Sequence, residues 1–405
     1  MSLGTRRRRP PTPGFVANNL WRRAGEIPSF HISPTALGHA RDLITGSVLG
    51  TYNSATPAMA VGADGLLFTP AANAPVIEYD AATRACLGAR IWEVVTQQAR
   101  ATRDLTQSTV WTASAITPTR DQVGIDGTAN SATRLTATAS DGTILQTLTS
   151  ASATRVSGFW VRRITGSGTV EITMNGGSSW TALTLASTFA RYSIPAATIT
   201  NPQIGFRIRS NGDEIAVDGV QLQSVATLGP TVFNPSTSLA ASSTADVWSI
   251  TGADFNRIYN QSAVTFYFDG SYVQAGTSSF PRMIAAVGSN PNTDEVGIHG
   301  RVNTGSGDGR FYGSSTVAGT NQFTLGEFTS PVMNSGKVAA AFALNDAAMF
   351  DGQALTTDNT GALPVAQELR IMGQARFQPM PNGYIRELAI FRSRRPNANL
   401  RAVTT

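Results

Sequence analysis

Lysine is almost missing from this chain. Of its 31 basic residues 30 are arginine, and Lys337 is the exception. Cysteine is as scarce. Cys86 stands alone, which excludes an intramolecular disulfide and with it a disulfide-stapled secreted domain. The three histidines, His31, His39 and His299, are too scattered to outline a site. No His-Glu-x-x-His, Cys-x-x-Cys or Gly-x-Ser-x-Gly spacing occurs, so zinc-hydrolase and serine-hydrolase chemistry lack their usual markers. Charged residues make up only 14% of the 405, against about 25% in an average globular protein. Long apolar runs are missing too. No window approaches the ~20 residues that a spanning helix needs, so no membrane segment is expected. The basic start has no apolar stretch behind it, and a signal peptide is not expected either.

What is present is glycine (38), proline (20) and enough hydrophobic residues (41%) to build real cores. That balance argues against helical bundles and coiled coils, and the length allows about two to four domains. The charge is unevenly spread. Residues 1–25 carry six arginines and no acid, and residues 370–405 carry seven arginines and Glu387. The overall charge is +5, so the stretch between carries a net −7. A pI of 9.7 therefore describes the two ends. A nucleic-acid binder more often shows a basic stripe through its folded domain, which disfavours nucleic acid as the partner.

Residues 1–64 read as an extended arm. Arg6, Arg7, Arg8 and Arg9 run into Pro10, Pro11 and Pro13. Repeated proline fixes φ and removes donors, and adjacent arginines repel unless an acidic surface neutralises them. With Arg22 and Arg23 they read as an anchor that threads into a partner protein or a large assembly. A solvated tail and a weak phosphate contact are the alternatives. Residues 65–99 form a connector of short strand-like runs around Leu66–Phe68, Val76–Asp80 and Leu87–Trp92. They are too short for a core of their own and are expected to pack on a larger sheet or a neighbouring subunit.

Two β domains follow. Over 100–228 the chain alternates apolar and polar residues, as in Val170, Ile172 and Met174 against Glu171 and Thr173. Gly166-Ser167-Gly168, Asn175-Gly176-Gly177 and Asn211-Gly212 supply turn chemistry between the runs. Many short strands joined by glycine-rich turns predict an antiparallel sandwich or jelly roll, ending near Ile215–Leu222. Over 229–405 a second set of runs includes Val264–Phe268, Arg282–Val287, Lys337–Leu344 and Gly383–Phe391. These predict a second, larger β-sandwich. The fold class expected is all-β: an N-terminal arm and two antiparallel sandwiches.

Two strings carry a family resemblance. The first runs from Gly65-Leu66-Leu67 through Ala72-Asn73-Ala74-Pro75-Val76-Ile77-Glu78-Tyr79-Asp80 to Leu87-Gly88. It resembles the segment ahead of a carbohydrate-binding-type jelly roll in tailed-phage virion proteins. Glu93 and Ser108-Thr109-Val110-Trp111 match later elements, whereas Thr96-Gln97-Gln98 departs from the usual Thr-Asn-Leu. The middle domain closes in the same style at Val217-Asp218-Gly219-Val220-Gln221-Leu222-Gln223, where glutamate is commoner than Gln223. The second string, Ala339–Leu344, Leu369–Gly373 and Gly383–Phe391 with Arg394–Leu400, resembles the last strands of a concanavalin-like (laminin-G-like) sandwich with a short terminal helix or turn. Together they cover about 65–405. The resemblance implies a structural virion protein of a phage or phage-like particle, in a head fibre, head spike or tail fibre. It implies a homo-oligomer, a trimer being favoured, joined to other virion proteins and displaying sandwiches toward host-surface polysaccharide. Two alternatives stay open: a purely structural capsid decoration protein that binds no glycan, and an extracellular bacterial carbohydrate-binding module.

No catalytic residue, metal site or cofactor is assigned from the sequence, and the chain is not expected to be an enzyme. Glycan contact needs aromatic rings and planar polar groups. Trp180 follows a glycine-rich turn, and Tyr312 stands beside Arg310 and Asp308, so Trp180, Arg310 and Tyr312 are the glycan-binding candidates. A single tryptophan in a sandwich more often fills the core or rim. The Asn290–Asp294 loop lacks the alternating acidic ligands of known calcium loops.

Overall fold

The computed structural model describes residues 20–273, 282–301, 310–326, 335–373 and 382–405, the side chains of Val273, Arg301 and Arg310 excepted. In chain order the first elements are β1 (Phe30–Ile32), the short helix α1 (Pro34–Leu37), β2 (Thr51–Asn53), β3 (Ala60–Val61), β4 (Leu67–Phe68), β5 (Val76–Tyr79), β6 (Cys86–Ile91) and β7 (Thr96–Gln97). The middle of the chain supplies β8 (Thr112–Ser114), β9 (Ile116–Gln122), β10 (Ala132–Ala137), β11 (Gly142–Thr147) and β12 (Ala153–Thr165). It continues with β13 (Val170–Thr173), β14 (Thr181–Leu183), β15 (Ala190–Ile199), β16 (Gln203–Ile208) and β17 (Glu214–Gln223). Then come β18 (Ala241–Ser242), β19 (Val247–Thr251), the helix α2 (Gly252–Ile258), β20 (Ala263–Val273), β21 (Arg282–Val287), β22 (Glu295–Arg301) and β23 (Arg310–Val317). The last elements are β24 (Thr320–Leu325), β25 (Ser335–Ala343), β26 (Asp346–Phe350), β27 (Leu355–Asp358), β28 (Glu368–Ile371), β29 (Asn382–Phe391) and the helix α3 (Asn397–Thr404). Residues 20–24 are also helical. The architecture is all-β, in several antiparallel sheets.

In the middle unit two five-stranded sheets, β15-β12-β17-β10-β9 and β14-β13-β16-β11-β8, share one core. The two-residue period sorts the side chains. Val170, Ile172, Ile204, Phe206 and Ile208 enter the core, and Glu171 and Arg207 take the other face. Phe159 of β12 meets Phe206 of β16 edge-on, with ring centroids 5.1 Å apart. Each fully buried Phe, Ile or Val here contributes about 1.5–3 kcal/mol.

The larger unit stacks an eight-stranded sheet, β27-β26-β25-β20-β29-β6-β5 with β1 joined to β29, on a seven-stranded one, β2-β19-β28-β21-β22-β23-β24. Val264, Phe266 and Phe268 of β20 enter the core between them. Tyr267 faces the other way, into a second cluster. The run Val338-Ala339-Ala340-Ala341-Phe342 is apolar at every position because both its faces are covered. Val338, Ala340 and Phe342 point into the main core, while Ala339 and Ala341 lie under Leu20, Ala24, Leu400 and Val403. Those four come from the helical residues 20–24 and from α3, so the two ends of the described chain are packed together on one sheet.

Sequence reading assigned residues 1–64 to an extended arm. Residues 1–19 lie outside the described residues, and from residue 20 onward the chain differs from an arm. Phe30–Ile32 pairs with Leu388–Ile390, and Thr51–Asn53 pairs with Val247–Ser249. The cause is burial: Phe30, Ile32, Leu49 and Tyr52 all sit in the main core. They are spaced too irregularly to show a strand period. The connector strands β5 and β6 extend the eight-stranded sheet at its edge through Gly383–Ile385. The larger unit is therefore built from chain on both sides of the middle unit.

Candidate functional site

Residues suited to recognising a ligand collect on the outward side of the sheet β14-β13-β16-β11-β8. Register sets them in rows. Glu171 lies beside Arg207, Arg207 beside Thr143, and Thr143 beside Ser114. The next row runs Thr173, Gly205, Leu145 and Thr112. Arg207 Nε donates to Glu171 Oε2 at 2.6 Å. The same guanidinium lies 4.5 Å from the ring centroid of Trp180, which precedes β14 and is half-buried. The preceding turn presses on the indole: a Cβ on Gly177, whose φ is +86°, would come within 2.9 Å of Trp180 Cζ2. Trp180 is thus one part of a composite surface with Arg207 rather than a bare platform. Beside it Gly205 is buried, and the Leu145 side chain closes over it, with Cδ2 within 2.9 Å of where a Cβ would stand. A Cβ there would fall 2.0 Å from the Ile144 carbonyl oxygen, so the close approach of β16 and β11 requires glycine. Gln203 Nε2 donates to Thr147 Oγ1 at 2.7 Å along the same face. At its end Arg209 pairs with Asp141 at 2.9 Å. Each of these arginines has its own carboxylate.

Tyr312 lies elsewhere, on β23 of the larger unit. It stacks on His299 of β22, with centroids 5.1 Å apart and ring planes 29° apart. The side chain of Arg310 and all of Asp308 lie outside the described residues. Trp180 and Tyr312 therefore sit on different units. His299 is fully buried, and its Nε2 has no hydrogen-bond partner among the described residues. Burial pushes its pKa down to about 4; Glu295 opposes this and Arg282 adds to it. The Asp294 carboxylate fastens the turn before β22 to the turn between β23 and β24. Its Oδ1 accepts from the Ala318 amide and its Oδ2 from Thr293 Oγ1, bonds that hold it below the usual carboxylate range. No group of three or more His, Cys, Asp or Glu that could hold a metal ion occurs among the described residues.

Several polar residues carry structural work that their sequence context did not announce. Asp218, inside the quoted Val217–Gln223 string, is fully buried. Its Oδ1 accepts from Arg103 Nε at 2.8 Å and from the Gly219 amide at 2.8 Å. Its Oδ2 accepts from Arg103 Nη2 at 2.9 Å and from the Ile125 amide at 2.9 Å. Burial pushes the Asp218 carboxyl up, against the pull of Arg103. Gln223 donates through Nε2 to the Pro230 carbonyl and accepts at Oε1 from the Gly229 amide. An ionised glutamate could accept from Gly229 but not donate to Pro230, which accounts for the amide at that position. Gln97, in the string that departs from the family pattern, accepts from the Ala99 and Leu222 amides and donates to the Val220 carbonyl. It ties the connector to β17.

His31 is drawn beside Glu387, Nε2 to Oε1 at 2.9 Å, while its Nδ1 accepts from Trp21 Nε1 at 3.1 Å. Both ring nitrogens are engaged and the ring is fully buried. The neighbouring Tyr267 hydroxyl is pushed far up by burial, with Glu387 adding to the shift. The cluster therefore fastens the N-terminal segment to β29 and presents no nucleophile. Trp160 and Trp248 are core residues, donating to Thr231 Oγ1 and to the Leu49 carbonyl. Where the two units meet, a cleft of about 410 Å³ is lined by Trp92, Glu93, Val95, Thr154, Gln223 and Asn382, among others.

Of the anchoring arginines, Arg6–Arg9 lie outside the described residues. Arg22 is exposed, and Arg23 donates to Thr405 Oγ1 at 3.4 Å.

No family model matches the chain. No curated protein matches it either. Among solved structures, the chain is similar to the N-terminal CBM22-1-CBM22-2 tandem domain of Xyn10C from Paenibacillus barcinonensis. The identity is 8%, over 75% of this chain and 99% of that one, with a TM-score of 0.24. So distant a likeness transfers neither strand correspondence nor a ligand position.

Proposed function

We propose that this chain is a non-catalytic protein that binds neutral carbohydrate on the outward face of the β14-β13-β16-β11-β8 sheet. The observation that carries the reading is the arrangement on that face. A half-buried indole and a guanidinium form one patch, Leu145 closes over Gly205 beside it, and Gln203, Thr143 and Thr147 border it. A sugar ring offers an apolar face and a rim of hydroxyls, which fits an aromatic edge with a few fixed polar groups. Arg207 is matched by Glu171 and Arg209 by Asp141, so the face has no excess positive charge for an acidic polymer. The sheet holds these groups rigidly, so little ordering entropy is lost on binding. The test is affinity electrophoresis through a panel of neutral and acidic polysaccharides. The intact protein should be retarded by at least one neutral polymer, and Trp180→Ala and Arg207→Ala should run free. A folded protein that no polymer retards, or a Trp180→Ala variant retarded as strongly as the parent, contradicts the reading.

A second reading concerns where the face is displayed. The resemblance over 65–405 and the arginine–proline run at Arg6–Pro13 support a homo-oligomer, a trimer being the expected form, carried on a virus particle as a fibre, spike or decoration protein. Removing residues 1–19 should then leave folded protein that no longer joins particles. Unchanged incorporation argues against residues 1–19 as the anchor, and failure of the intact chain to join particles argues instead for an extracellular binding module.

A further inference from the structure

The sequence places its arginine clusters at opposite ends, and the structure brings the described parts of both together. Arg395 donates from Nε and Nη2 to the Ala24 carbonyl, at 3.0 and 2.7 Å. Asn399 Nδ2 donates to the Arg23 carbonyl at 3.0 Å. Arg23 reaches Thr405, and Leu20 and Ala24 share a cluster with Leu400 and Val403. One pole of the larger unit therefore carries arginines from both ends. Arg395 is matched by Glu26 and Arg394 by Asp346. Arg22, Arg23, Arg392 and Arg401 form no ion pair among the described residues, and all but Arg23 are exposed.

Two aliphatic side chains flank the same pole. Ile27 is 62% exposed, next to the Glu26 that holds Arg395. Leu344 is 68% exposed, two residues from the Asp346 that holds Arg394. The aromatic rings at this pole are turned inward: Phe350 and Phe391 are buried, and Trp21 packs on the cluster and donates to His31.

We infer that this composite pole is a docking surface for an acidic protein partner that also presents apolar side chains. Guanidinium forks match carboxylates in planar pairs, and exposed aliphatic groups among arginines are what a protein interface uses. Among the described residues of the pole, a single-stranded nucleic acid would find no exposed ring on which to stack its bases. A duplex or an anionic membrane would extend beyond the pole and meet a chain whose remaining stretch carries a net −7. The inference is independent of the glycan reading. It moves the anchor from a single arm to a surface made by both ends of the chain.

The test measures fluorescence anisotropy of three probes of matched charge titrated with the full chain: an acidic peptide of glutamate and leucine, an all-glutamate peptide, and a short DNA duplex. The mixed peptide should bind most tightly, by about tenfold over the all-glutamate one, the value of roughly one buried aliphatic contact on each side. Binding should vanish near 1 M salt, where the Debye length is about 3 Å. Replacing Arg22, Arg23, Arg392 and Arg401 together by Gln should weaken it by about tenfold or more. Ile27→Ser/Leu344→Ser should abolish the preference for leucine, and Arg120→Gln/Arg134→Gln should change nothing. Arg22, Arg392 and Arg401 are exposed and Arg23 is half-buried, so a retained β-sheet circular dichroism spectrum and thermal midpoint serve as the fold control. Tightest binding to the duplex, no binding of either peptide, or an unaltered affinity in the fourfold variant would each overturn the inference.

Discussion

His299 gives the sharpest thermodynamic prediction. Its ring is fully buried on β22 against Tyr312, with Nε2 unpaired among the described residues, and burial holds its pKa near 4. In the unfolded chain it titrates near 6.5. Between those values the unfolded state binds the proton and the folded state does not. The contribution is therefore complete above about pH 6.5 and is lost as pH falls toward 4. With 1.36 kcal/mol per pKa unit the full loss is about 3 kcal/mol, of which about 2 kcal/mol has gone by pH 5. His299→Phe keeps a ring to stack on Tyr312 and removes the titration. Urea unfolding of the larger unit at pH 7.5 and pH 5 should show the parent losing about 2 kcal/mol more than His299→Phe. Working above pH 4.5 keeps most carboxylates ionised in both proteins. Parallel pH profiles for the two would refute the argument that this imidazole is kept neutral by burial.

Three further substitutions test the middle unit. Asp218→Ala removes the acceptor of four hydrogen bonds and leaves Arg103 half-paired in a buried site, which should cost about 3–5 kcal/mol in urea unfolding. Gln223→Glu loses the bond to the Pro230 carbonyl and sets a carboxylate oxygen against it. A loss of about 1–3 kcal/mol is expected, smaller at low pH where the acid can donate. Gly205→Val forces side-chain atoms into the 2.0 Å approach to Ile144, so β16 and β11 should separate locally, with a cost near the upper end of ~1–3 kcal/mol and loss of any glycan retardation.

Alternation made the middle unit readable. Ala132–Ala137 is β10 residue for residue, and the runs around Val170, Phe206 and Ile215 became β13, β16 and β17. In the larger unit Arg282–Val287 is β21. The short elements were harder. β1, β2, β7 and β18 have two or three residues each and are held by partners far away in sequence, such as Leu388–Ile390 for β1. A window of local residues carries no trace of such pairings. The Arg/Pro cluster led the reading of residues 20–64 toward an arm, although Phe30, Ile32 and Tyr52 are core residues. At the candidate site, Trp180 stood out through its glycine-rich turn. Arg207 and Glu171 did not, because nothing in sequence shows that β13 and β16 are neighbours. Likewise Glu387 is 356 positions from His31, and the union of the two arginine-rich ends depends on packing alone.

The central claim is that the outward face of the β14-β13-β16-β11-β8 sheet binds carbohydrate. Amide hydrogen exchange with and without a saturating neutral polysaccharide tests it most directly. Protection should rise on Gln203–Ile208, Gly142–Thr147 and the Asn175–Leu183 turn and strand, and stay unchanged on β12 and β17 of the opposite sheet. Protection confined to the larger unit, or none at any concentration that retards the protein, would contradict the account.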